Sequence, residues 1–268
     1  MKKQKVKNDI KQYKPSFSMN SQKLIDVFYD TLTLSKELNH NNHNNHNQSV
    51  RYSGLLENYI PNAVYPTTTI SIVNRDCLIE ATNLATITIK ITIKIGVNMA
   101  SDICAGGGVK KGSRAQEEEI CRRTSLYPCL QHQSYPLYPL EIIYSPEIAI
   151  LKTPDYSPIE RKIYIDVLSM AAIRRPLLTK TGEYRSSDRT LMKNKVRLLL
   201  QTAHYHGLDT LVLGAWGCGA FCNPANEVAT IFRSFLDGEF KGAFRHISFA
   251  ILESSQHLGN AFRSVFNS

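Results

Sequence analysis

Two apolar periods alternate along this chain, and that alternation constrains the fold more than any single motif. "TTTISIVNRD", "IIYSPEIAIL", "KIYIDVLSMAA" and "HISFAILE" read as strands, and "DTLVLG" as a buried one. Between them lie stretches of helical period. Residues 190–206 put Met192, Val196, Leu199 and Ala203 on one face, with Gly207 as a C-cap. "EEEICRRTSLYPCL" reads as a helix stopped at Pro128, and "NAFRSVF" as a last helix. Strand and helix in turn predict a three-layer α/β/α sandwich, with ligands at the carboxyl ends of strands.

The regions ahead of that alternation differ. Residues 1–15 are Lys-rich without an apolar core and read as a disordered basic tail. Leu24, Val27, Phe28, Leu32 and Leu34 have roughly helical spacing, with Ser21 as N-cap. A second short segment lies around "YSGLLENYI". An N-terminal helical extension over 16–66 follows, interrupted by the Asn/His-rich run 39–48, which reads as a solvated insertion. "ATITIKITIKIGVNMAS" places Ile87, Ile89, Ile91, Ile93 and Ile95 on one face, as in a strand or hairpin running into a glycine loop.

Two glycine-rich turns follow strand patterns. The first, Gly106-Gly107-Gly108, is separated by seven residues from Gln116-Glu117-Glu118. It misses the Walker pattern, because Ser113 stands where lysine is required. The second, "GAWGCGAF", fails the dinucleotide fingerprint at Cys222. It also fails the nucleophile elbow at Trp216 and Ala220, so Cys218 reads as a small residue in a tight turn. Asn223 is expected to cap a helix with Pro224 at its first position. What remains is a pair of backbone cradles suited to a diphosphate, with acids beside one of them.

Composition narrows the partners. Lys and Arg outnumber Asp and Glu to give a formal charge of +9, which suits polyanions, although a lysine-rich surface has the same sum. The six cysteines include no CxxC pair, so they read as free thiols in a reducing compartment and give no zinc site. With no apolar run long enough to span a bilayer, no membrane is expected, and the location expected is intracellular, cytoplasmic or nuclear.

"GGGVKKGSRAQEE" resembles the signature of the poly(ADP-ribose) glycohydrolases, and most closely their microbial-type branch. "VNMAS", "RRTSLYPCL", "IYSPEIAIL", "LVLGAWGCGAFCN" and "NAFRSVF" are similar to further family blocks, in the same order, over roughly residues 20–268. The resemblance implies a macrodomain-like fold with a mixed central sheet, its catalytic domain over 67–268. It implies a hydrolase that cuts ribose–ribose O-glycosidic bonds in poly(ADP-ribose), part of ADP-ribosylation turnover such as follows DNA damage. Glu118 would be the acid and base, its pKa raised by burial. Glu117 would hold the ribose, and Asn98 would touch the distal ribose. Gly106, Gly107, Gly108 and Gln116 would line the catalytic loop. Gly217, Cys218, Gly219, Ala220 and Phe221 would form the diphosphate-binding loop, with Phe221 positioning the ribose. The implied partners are poly(ADP-ribose) and ADP-ribosylated proteins, with no cofactor, no metal and no stable nucleic-acid partner. Departures from the family pattern fall at Met99, Cys104, Ala105, Ala172, Arg174 and Cys222. The alternatives are a reader that holds ADP-ribose without cutting and a hydrolase of mono-ADP-ribosylated protein or nucleic acid.

Overall fold

The computed structural model describes residues 19–41, 49–87, 96–252 and 256–267. The elements, in order, are α1 (Ser21–Asn41), β1 (Val50–Ser53), β2 (Thr69–Val73), α2 (Cys77–Ile87), β3 (Gly96–Met99), a 3-10 turn (Val109–Lys111), α3 (Gln116–Arg123), α4 (Leu126–Gln131), β4 (Glu141–Lys152), β5 (Pro158–Met170), α5 (Ser186–Tyr205), β6 (Thr210–Leu213), α6 (Ala225–Asp237), β7 (His246–Ala250) and α7 (Gln256–Phe266).

Strands β1-β4-β5-β3 form one ladder and β2-β7-β6 another. β4 pairs antiparallel with β1 and β5, β3 pairs parallel with β5, and both pairings of β7 are parallel. β3 lies beside β6 where the two ladders meet. The period-2 pattern sorts side chains onto two faces. Leu168, Met170, Leu211, Leu213, Ile247 and Phe249 face a core shared with α5, α6 and α7. Their neighbours Val167 and Val212 face a second core, with Leu78 of α2, Ile120 of α3 and Leu126 of α4. Strands β4, β5, β6 and β7 thus feed both cores, and the three-layer α/β/α architecture with a mixed sheet is as expected.

Several local expectations are corrected. Ser21 begins α1 rather than capping it; Asn20 Oδ1 accepts the Lys23 N–H at 2.9 Å. Residues 50–53, within the segment expected to be helical, pair with β4 as a strand. Ile87 belongs to α2, not to a strand. Asp76 Oδ1 accepts the Leu78 and Ile79 N–H groups at 3.0 and 3.1 Å and so starts a helix ahead of the alternating run. Residues 88–95 of that run, the 1–15 tail and the Asn/His run beyond Asn41 lie outside the described residues.

Pro128 does not stop a helix. α3 ends at Arg123, and Pro128 sits in the first turn of α4, where a missing N–H costs nothing. Likewise Asn223 does not cap α6, which starts at Ala225 with Pro224 as its N-cap. The Asn223 amide is turned back, donating to Ile173 O and Gly217 O and accepting from the Tyr184 hydroxyl.

Candidate active site

β3 delivers Asn98 and Met99 to the end of the sheet. The chain then makes two left-handed glycine turns, Gly106 (φ 68°) and Gly107 (φ 54°), before α3 opens with the acids. Both glycines are required where they stand. A Cβ on Gly106 would lie 2.7 Å from the Tyr127 ring. One on Gly107 would lie 2.7 Å from Glu118 Oε1 and 3.0 Å from Glu117 Oε2. The two carboxylates therefore flank one glycine, and the absence of its side chain leaves them room.

Gln116 stitches β3 to α3. Its Oε1 accepts the Met99 N–H at 2.8 Å and its Nε2 donates to Val97 O at 2.6 Å. Glu117, 3 % exposed, accepts the Ser101 N–H at 2.7 Å and the Asn98 amide at 3.2 Å. Burial pushes its carboxyl up to about 8, against the pull of those two hydrogen bonds and with the Glu118 charge adding to the rise. The resemblance puts a burial-raised pKa on Glu118; the structure places such a rise on Glu117. Glu118, 6 % exposed, is pinned on one side only: Oε1 accepts the Gly108 N–H at 2.8 Å, while Oε2 is buried with no protein partner. Asn98 is fully buried, donates also to Ser169 Oγ at 3.1 Å, and keeps Oδ1 unpartnered.

The second glycine turn follows β6. Trp216 is buried and its indole N–H donates to Met170 O at 3.1 Å, which anchors the loop to the end of β5. Gly217 has φ 73°, and a Cβ there would lie 2.4 Å from the Ala172 Cβ and 2.6 Å from the Asn223 amide. Gly219 faces open space. Burial pushes the Cys218 thiol up to about 12, which suits a packed small residue and not a nucleophile.

A cleft of about 400 Å³ lies between the second turn, the end of β3 and the start of α3. Met99, Gln116, Gly217, Gly219, Ala220 and Phe221 line it, and Trp216 contributes to its floor. The structure brings the expected residues to this one end of the sheet. Gln116, Gly217, Gly219, Ala220 and Phe221 form cleft wall; Cys218, Gly106, Gly107 and Gly108 do not line it, nor do Glu117, Glu118 and Asn98, which are buried around the first turn. Sequence reading missed Ser101, whose contribution is a backbone N–H and leaves no side-chain signal, and Asp102, which pairs with Arg174. Among the described residues no cluster of three or more His, Cys, Asp or Glu is placed to hold a metal, and no helix is long and apolar enough to cross a membrane.

Comparison with known proteins gives a consistent answer. Residues 25–153 match the family model of the microbial-type PARG catalytic domain. The poly(ADP-ribose) glycohydrolase of Thermomonospora curvata superposes with a TM-score of 0.79 at 23% identity, covering 91% of this chain and 100% of that one. The same enzyme bound to the inhibitor ADP-HPD gives 0.76, also at 23% identity, with 91% and 99% covered. The Deinococcus radiodurans glycohydrolase in complex with ADP-ribose gives 0.69 at 24% identity, with 83% and 95% covered. No curated relative matches. The resemblance read from the sequence is borne out: over residues 25–153 the chain carries the catalytic-domain pattern of microbial-type PARG, and over nine-tenths of its length it carries that fold.

Proposed function

We propose that the chain is a poly(ADP-ribose) glycohydrolase that cuts ribose–ribose O-glycosidic bonds and releases ADP-ribose. The observation that carries this reading is the asymmetry of the acid pair. Glu117 has both oxygens held, whereas Glu118 has one oxygen fixed by Gly108 and one buried without a partner. A buried, singly anchored carboxyl is poised to give up and take back a proton.

The chemistry follows from those positions. Glu118 enters as the acid, and the oxygen without a protein partner is the one that faces the reaction. Glu118 donates its proton to the ribose oxygen that leaves, and the glycosidic C–O bond breaks through an oxocarbenium-like state. The resulting carboxylate takes a proton from water as the water adds to the anomeric carbon. The products are ADP-ribose and a polymer one unit shorter. Asn98 and Glu117 hold the distal ribose, the first glycine turn lets the sugar approach, and the 217–221 turn seats the diphosphate with its backbone. A diphosphate there also stabilises the cation, which lets one proton-shuttling carboxyl serve. Poly(ADP-ribosyl)ated proteins are the natural form of such a substrate. On this reading residues 67–268 are the catalytic domain, the described part of 16–66 packs against it, and the enzyme works in a reducing, intracellular compartment.

The deciding experiment is release of free ADP-ribose from poly(ADP-ribosyl)ated protein by wild type and Glu118→Gln, with ADP-ribose binding followed by calorimetry. Release by wild type alone, with binding kept by both, is the expected result. Binding without release by either would make the cleft a reader's. Release only from mono-ADP-ribosylated substrates would reassign the reaction.

A further inference from the structure

The segment after β5 is fastened to the second glycine turn at several points. Asn223 donates to Ile173 O at 2.7 Å, the Arg175 N–H donates to Phe221 O at 2.8 Å, and Ala172 packs under Gly217. Between these contacts Arg174 projects. Its guanidinium lies over the Phe221 ring, 4.2 Å from the centroid. The same guanidinium reaches across to the loop after β3, where Nε donates to Asp102 at 3.1 and 3.2 Å and Nη2 bonds Asp102 as well. Asp102 directly follows Ser101, whose N–H holds Glu117. One side chain therefore spans from the ring on the second turn to the loop that fixes the acid.

We propose that Arg174 is a positioning residue for the glycohydrolase reaction: its guanidinium, stacked on Phe221 and forked onto Asp102, clamps the two glycine-rich turns in register so that ribose and acid meet. This deepens the glycohydrolase reading of the cleft and rests on it. The ion pair is too exposed, at 42% and 30%, to matter for stability by charge alone. Its value is geometric. Only a planar, five-donor cation can stack on a ring and grip a carboxylate along its edge together. The competing role for a partly exposed arginine stacked on a cleft-lining ring is simple attraction of a polyanion, and the two roles differ in sign at Asp102. Removing the Asp102 charge releases a clamp, but it strengthens an attractor.

The test compares R174A, R174K and D102N with wild type in steady-state release of ADP-ribose from poly(ADP-ribosyl)ated protein. ADP-ribose binding is followed in parallel by the fluorescence of Trp216, the single tryptophan and part of the cleft wall. The clamp predicts that R174A and D102N both lower kcat, by roughly ten- to a hundred-fold, with KM changing less. R174K recovers only part, because an ammonium has neither a face nor a fork. If R174A does not fold, D102N, an exchange of one oxygen for an amide nitrogen, still decides. A D102N enzyme with unchanged or improved kcat/KM overturns the proposal, as does full recovery in R174K. Wild type that binds ADP-ribose without releasing it sinks the glycohydrolase reading separately. The clamp is then judged on ADP-ribose affinity, which R174A and D102N must weaken alike. Wild type that binds no ADP-ribose removes both.

Discussion

At the scale of single residues, the acid pair and its glycine are one device. Gly107→Ala would drive a methyl to within 2.7 Å of Glu118 Oε1 and 3.0 Å of Glu117 Oε2, at a backbone angle of φ 54° that disfavours any side chain. We expect ADP-ribose release to fall by roughly a hundred-fold or more while the protein still unfolds cooperatively. Near-normal turnover would show that this turn does not set the acids. Glu117 makes a second prediction, through stability. Its carboxyl rises from 4.5 to about 8 on folding, so the native state holds the proton more tightly than the unfolded chain. The stabilisation this contributes is whole below pH 4.5 and is lost as pH climbs to about 8. Melting temperature of the wild type should decline across that window relative to Glu117→Gln, which has no proton to lose. Parallel profiles for the two proteins would mean that the native carboxyl is not protonated there. Residue chemistry of this kind was partly legible. The types and spacing of Gln116, Glu117 and Glu118 announced an acid site, but the rise at Glu117 comes from burial that distant parts of the fold supply, against the hydrogen bonds of Ser101 and Asn98.

Among the elements, α1 matters beyond its own surface. Phe28 is fully buried and meets Tyr127 edge-on, with ring centroids 4.8 Å apart; Tyr127 in turn fills the space against Gly106. Thr31 donates to Arg122 O of α3, Lys152 of β4 pairs with Asp30, and Gly112 comes so close to Ser21 that a Cβ would lie 2.6 Å from its carbonyl oxygen. The helix is thus a brace behind the first glycine turn. Phe28→Ala should cost about 3–5 kcal/mol of stability in denaturant unfolding. It should also lower turnover at temperatures where the protein remains folded, although no acid is touched. Full activity in a folded F28A protein would reduce α1 to a bystander. The helix itself was readable from the spacing of Leu24 and Phe28. Its seat was not, because a 3.6-residue period says that a face is buried and nothing about what buries it. The isoleucine alternation misled at Ile87 for a related reason: the Asp76 cap commits the backbone to a helix that runs on into residues of strand-like composition.

For the molecule as a whole, charge is the property that reaches furthest. A surplus of +9 on a chain proposed to act on a polyanion gives attraction that salt screens. Turnover of long poly(ADP-ribose) should therefore fall steeply as salt rises, whereas binding of a single ADP-ribose should fall much less. An equally flat response for both would mean that the positive surface does not capture polymer. The sheet sets the other global constraint. β3 and β6, far apart in sequence, lie side by side, and each ends in a glycine turn. The cleft exists because these two carboxyl ends are neighbours.

What the sequence determined by itself was whatever depends on local order. Period-2 and helical patterns fixed the α/β layering, since alternate side chains of a strand must serve opposite cores. The two glycine runs marked the turns, since glycine permits close backbone approach, and the Gln-Glu-Glu triplet at its spacing marked carboxyls able to move a proton. Tertiary structure alone decided how the two turns face each other, that Asn223 braces a loop instead of capping a helix, that one oxygen of Glu118 is left without a partner, and that Arg174 bridges from Phe221 to Asp102. Each of these joins groups separated by tens of residues. Their geometry is set by packing between distant segments, which no local pattern encodes.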